Sequence, residues 1–333
     1  MDTGFAILVL VVVLGLAFDY VNGFHDTANA IATVVATRVL SPVQAILMAA
    51  TLNFAGAMTG TAVATTVGKG SDEPGAVTQQ LVISALLSAI VWDLVTWYYG
   101  IPSSSSHALV FSIVGAALAV GGPGILGWPG IEKVIIGLVS SPVLGIAGAF
   151  LVMVALVRMF ERSHPSFVST FFGRAQLVSS MYMAFSHGGN DAQKTMGVIT
   201  MSLATYYGWT GNDWDVPLWV VIAAATAMGL GTASGGWRVI KTMGHKIVEL
   251  KPIHGFAAET TAATVIEVAS RLGIPISTTH VISSSILGVG ATGNRRAVHW
   301  GVAGNIVTAW VLTIPACIVM GWLFSLATHA LIK

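Results

Sequence analysis

Apolar runs of about 18 or more residues recur from Phe5 to Leu331, each stopped by glycine, proline or a short polar stretch. Away from water, only a helix or a closed barrel satisfies every backbone N–H and C=O. A barrel would need alternating strands of about ten residues, and no such alternation is present. The expected fold is therefore an all-α polytopic membrane protein. Only 9% of the residues are charged, against about 25% in soluble domains, so the chain lacks a water-facing surface. A net charge of +1 without a basic cluster gives no footing for nucleic acid. The single Cys317 excludes an internal disulfide framework and reads as a small packed side chain. Acidic Asp2 precedes the first apolar stretch and no cleavage-type site follows it, so that stretch reads as a retained helix.

Taken in order, residues 3–20 form the first helix and a second runs from about Asp26 to Arg38. A span over 42–66 precedes a polar turn containing Asp72 and Glu73. Segments 77–100 and 102–120 form a close pair joined by Gly100-Ile101-Pro102, and a long span covers 131–157. The second half repeats the plan, with a broken pair over 175–189 and 191–206, a span over 217–235, and a close pair over 253–272 and 274–291 joined by Gly273-Ile274-Pro275. A final segment covers 297–330. Asp191 follows Asp26 by 165 residues, His280 follows His107 by 173, and Thr242 follows Thr66 by 176. Constant order with small drift is an internal duplication. It divides the chain into a first repeat, 1–157, a short linker, 158–174, and a second repeat, 175–333.

Charge sets the expected orientation. Arg158, Arg162 and Arg174, then Arg238, Lys241, Lys246 and Lys251, then Arg295 and Arg296, belong on the cytoplasmic side. Asp72, Glu73, Asp213 and Asp215 fit outside, as do both termini. Each half then crosses an odd number of times in opposite senses. The expectation is two inverted-topology repeats with broken helices and paired re-entrant or hairpin segments, a construction common in secondary transporters.

Both repeats carry an Asp, an amide and small residues inside apolar sequence, around Asp26 and around Asp191. An ionisable residue at membrane depth is costly and marks function by default. Carboxylate, amide and hydroxyl oxygens beside broken backbone suit a small hard cation such as Na⁺, and the carboxylates can equally carry a proton. The coupling candidates are Asp26, Asn29 and Thr33 in the first half and Asn190, Asp191 and Thr195 in the second, with Asp26, Asn29, Asn190 and Asp191 as Na⁺ ligands. Ser103, Ser104, Ser105 and Ser106, and Ser277, Thr278 and Thr279, each follow a proline at a helix N-terminus. Free N–H groups and the helix dipole make such ends anion sites, and two facing clusters can hold one tetrahedral oxyanion; alternatively they only cap their helices. His107 and His280 follow the clusters at equal spacing, for packing or for proton coupling. Glu259 aligns with Leu86 and either breaks the symmetry in coupling or pairs with a nearby hydroxyl or Lys. Lys194 stands where the first repeat has Asn29, and four roles fit it: neutralising Asp191, binding the anion, snorkelling, or replacing a bound cation. No metal-ligand spacing of the His-x-x-x-His or Cys-x-x-Cys type appears, and no serine is singled out as a nucleophile, which argues against an intramembrane hydrolase.

Residues 23–30, Gly-Phe-His-Asp-Thr-Ala-Asn-Ala, and 187–194, His-Gly-Gly-Asn-Asp-Ala-Gln-Lys, resemble the duplicated signature of the inorganic phosphate transporter (PiT) family, Gly-Ala-Asn-Asp-Val-Ala-Asn-Ala. Residues 100–107, 273–280, 234–238, 241–246 and 258–260 are also similar to that family, so the resemblance spans nearly the whole chain. It implies a symporter of inorganic phosphate coupled to Na⁺ or H⁺, dimeric, multi-pass in the cytoplasmic membrane, and neither an enzyme nor a cofactor protein. Asp26 and Asp191 map onto the family's signature acids, and the Ser/Thr clusters, with Lys194, onto its substrate-binding side. His25 replaces a usual Asn, and Gln193-Lys194 replace Ala-Asn, a form similar to bacterial members, some proton-coupled and some carrying metal–phosphate. A sulfate permease of the same superfamily is the alternative, and an anion channel a more distant one.

Overall fold

Proline, glycine and capping hydroxyls decide where the helices of this chain stop. The computed structural model describes residues 3–70, 78–209, 214–293, 296 and 298–331; Asp72, Glu73, Asp213 and Arg295, which enter the charge reading, lie outside the described residues. The elements are α1 (Thr3–His25), α2 (Thr27–Ala36), α3 (Pro42–Ala57), α4 (Ala62–Gly70), α5 (Gln79–Tyr99), α6 (Ser105–Gly121), α7 (Trp128–Phe160), α8 (Pro165–Tyr207), α9 (Leu218–Ser234), α10 (Trp237–Lys241), α11 (Pro252–Arg271), α12 (Thr278–Thr292) and α13 (Trp300–Leu331). Among the described residues, five helices are long and apolar enough to cross a membrane, or seven when each bent pair counts as one span. The protein is thus an all-helical, multi-pass membrane protein.

The same local chemistry recurs in the two halves. Gly100 ends α5 and Gly273 follows α11, with φ of +66° and +67°, left-handed backbone that glycine adopts without a Cβ clash. Ser104 and Ser277 then cap α6 and α12, each hydroxyl accepting from a histidine N–H three residues on, at 3.2 Å in both. α3 and α4 meet at a 67° bend, and α9 meets α10 and the π turn that follows it (Thr242–Lys246) at 60°.

Packing repeats as well. α1 lies on α9 as α8 lies on α3, and α5 lies on α1 as α11 lies on α8. The long helices cross over: α7 packs on α12, and α13 packs on α6. Each close pair is therefore covered by a helix of the other half.

Three expectations change. The first helix runs on to His25, and the turn falls at Asp26 (φ −93°, ψ 4°), where the Asn29 N–H bonds the Asp26 carbonyl at 2.9 Å. The second motif does not break: α8 is one helix of 43 residues, continuous through Asn190 and Asp191. Its glycines serve close packing, because a Cβ on Gly188 would run into the Asn53 backbone of α3, and one on Gly56 into the Phe185 backbone of α8. Finally, most of 158–174 is helical, since Pro165 opens α8 at a position where its missing N–H costs nothing. Only residues 161–164 lie between α7 and α8.

Candidate functional site

The first turn of α12 joins the two halves. The Thr278 hydroxyl donates to Asp191 Oδ2 at 2.9 Å, and the Thr279 hydroxyl donates to Asp26 Oδ2 at 3.3 Å. Asn29 Nδ2 donates to Thr279 Oγ1 at 2.9 Å and to Thr278 Oγ1 at 3.3 Å. One carboxylate from each repeat is thus tied to consecutive hydroxyls, and all five residues are buried.

Each carboxylate also has cationic or titratable company. His25 Nδ1 lies 2.5 Å from Asp26 Oδ1. Asp191 Oδ1 pairs with the Lys194 ammonium, and Asp191 Oδ2 lies 3.2 Å from His187 Nε2. On an unbroken helix, positions three and four apart share a face, so α8 presents His187, Asp191 and Lys194 together. Donor atoms of Asp26, His187 and Asp191 all fall within 4.8 Å of one another, close enough to share one small cation. Asp93 of α5 and Asp19 of α1 are buried beside these groups, Asp93 near His25, Asp26 and Ser105, and Asp19 near Thr195.

The serine cluster reaches the same centre through His25. Ser103 Oγ donates to Thr96 Oγ1 at 2.8 Å, and both sit near His25 Nε2, at 3.3 and 3.0 Å. Ser104 and Ser277 spend their hydroxyls on caps. Ser106 donates to the Ile276 carbonyl at 3.2 Å and holds the two hairpin tips together. Ser105 is buried with its hydroxyl unpartnered. Both N-termini, with free N–H groups and a positive dipole end, face the region where the carboxylates meet, a chemistry that suits an oxyanion carried with a counter-cation.

Some expected residues lie apart. Thr33 donates to Glu259 Oε1 at 2.5 Å, in a separate cluster where Ser179 reaches Glu259 Oε2 at 2.5 Å and Gln176 Nε2 reaches Oε1 at 3.1 Å. Asn190 turns its amide nitrogen to Ser270 at 2.8 Å, and its Oδ1, like Asn29 Oδ1, has no donor. The Thr195 hydroxyl is buried without a partner. His107 and His280 face each other with ring centroids 4.5 Å apart, and His280 stacks on Trp310 at 3.9 Å. His187, Thr96 and Ser270 are the residues that the motifs alone do not single out. His187 was legible as an i,i+4 partner of Asp191 once the helix is continuous; Thr96 and Ser270 meet the site only through tertiary packing.

The chain matches the family described as the phosphate transporter family over residues 22–168 and 159–321. It belongs to that family. A Bacillus subtilis (strain 168) relative named "Probable low-affinity inorganic phosphate transporter" is 46% identical over 326 residues, covering 96% of this chain and 97% of its own. A Rhizobium meliloti (strain 1021) relative of the same name is 48% identical over 313 residues, covering 94% and 93%. A solved structure, "The sodium-dependent phosphate transporter", superimposes with a TM-score of 0.88 at 27% identity, over 98% of this chain and all of that one. These relatives are named as phosphate transporters and not as enzymes.

Proposed function

We propose that the protein is a secondary active symporter that carries inorganic phosphate with Na⁺ or H⁺ by alternating access. One observation carries the reading: Asp26 and Asn29 of the first half and Asp191 of the second converge on Thr278 and Thr279 at the head of α12. The coupling cation is held by Asp26 with Asn29, whose Oδ1 is a buried acceptor lacking a donor. A cation there offsets phosphate charge at the facing N-termini of α6 and α12, where Ser105 and the first backbone N–H groups donate to its oxygens. The duplication and the charge distribution support inverted repeats in the cytoplasmic membrane with both termini outside. The family resemblance supports a homodimer.

Radiolabelled phosphate uptake into proteoliposomes tests this, with Na⁺ and proton gradients imposed separately and sulfate as competitor. Concentrative uptake under one gradient, competed by phosphate and not by sulfate, is the expected result. Competition by sulfate makes it a sulfate permease; conductance without accumulation makes it a channel.

A further inference from the structure

The two halves of the site differ most at one position. With Asp26 set against Asp191, Asn29 corresponds to Lys194 and Asn22 to His187, all 165 residues apart. Around Asp26, Asn29 spends its amide nitrogen on Thr278 and Thr279 and leaves Oδ1 buried without a donor. A buried acceptor without a donor is unfavourable unless something electropositive joins it. Around Asp191 that electropositive group is already present. Lys194 is 3% exposed, its ammonium is paired with Asp191 Oδ1, and α8 runs unbroken between the two residues. A lysine three residues on along a regular helix cannot swing away as a dissolved ion diffuses away.

We propose that Lys194 is a tethered cation: in the second repeat its ammonium fills the place that a free coupling cation takes beside Asp26 and Asn29 in the first. The assignment rests on the symport reading and sharpens it. A free cation is released to one side of the membrane and so draws on a gradient; a tethered one neutralises Asp191 in every state and draws on none. The chain is built with one exchangeable cation place of this kind where a fully duplicated site would have two. Lys194 is therefore a specificity-determining residue for coupling, acting through Asp191.

The test is ²²Na⁺ binding per chain by purified full-length protein, read apart from transport. Lys194→Asn, which writes the first repeat's residue into the second, is expected to bind one more Na⁺ per chain than the native protein, and Lys194→Asn combined with Asp191→Asn to lose that gain. Lys194→Arg should match the native count. An unchanged count in folded Lys194→Asn, or a gain in Lys194→Arg, overturns the proposal. The mirror variant Asn29→Lys covers the case in which Lys194→Asn does not fold. It is expected to lose the Na⁺ that the native chain binds, and retention of that Na⁺, or a native chain that binds none, overturns the proposal. Absence of ion-driven phosphate uptake in the native protein would defeat the symport reading itself, whereas the difference in count between native and variant judges Lys194.

Discussion

The Asp26 and Asp191 regions carry similar motifs, yet one turns and the other does not. The position of each carboxylate's partner explains why. Asp26 pairs with His25, its immediate neighbour, at 2.5 Å. Adjacent side chains on a regular helix do not face each other, so this pair forms only where the helix is interrupted, and the turn lies at Asp26. Asp191 pairs with His187 and Lys194, four residues before and three after, which a regular helix brings to one face. The pairing around Asp191 requires the continuity that the pairing around Asp26 forbids. Motif identity alone does not fix backbone; the spacing of charge partners does.

That contrast can be broken in measurable ways. Asp191→Asn has the largest expected effect, because it strands the buried ammonium of Lys194; a loss of about 3–5 kcal/mol follows. Denaturation of the purified variant reads this, and adding Lys194→Met should restore folding but not uptake. Asp26→Asn should abolish ion-driven uptake, yet cost far less stability, since His25 can stay neutral beside an amide. Normal uptake by that variant at equal expression would remove Asp26 from the coupling site. Gly188→Ala pushes α8 off the Asn53 backbone and should cost about 1–3 kcal/mol, while Gly173→Ala, with open space around it, should melt like the native protein. The smallest effect separates two residues at equivalent places in the repeats. Thr278→Val removes the bond to Asp191 and should cost about 1 kcal/mol, whereas Ser105→Ala, beside Asp93, should cost less than that while weakening phosphate binding.

Much of this architecture could be read from the residues. The Gly-Ile-Pro junctions and the serine caps at Ser104 and Ser277 follow from local chemistry, and the structure places them as read. Gly188 and Gly189 were harder, because the same residue that ends a helix also permits close packing inside one, and only the neighbouring helix distinguishes the two uses. A helix broken at Gly188-Gly189 would take His187 and Asp191 off a common face, whereas the continuous α8 brings them together. Thr33 lies seven residues beyond Asp26 on a helix rising about 1.5 Å per residue, which puts it roughly 10 Å from the carboxylates. That distance accounts for its partner being Glu259. The contacts of Asn190 with Ser270 and of His25 with Thr96 depend on which helices pack together, and no motif encodes that.

The crossing of the long helices has a consequence for how the chain is made. Trp92 donates to Thr313 at 3.1 Å, Ser84 meets Thr328 at 2.7 Å, and Gly115 lies against the Ile318 backbone, so the inner face of the α5–α6 pair is completed by α13. Synthesis proceeds from the N-terminus, so the α5–α6 pair is made well before α13, the helix that covers it. The packing of the first half is therefore completed only by the last helix of the chain.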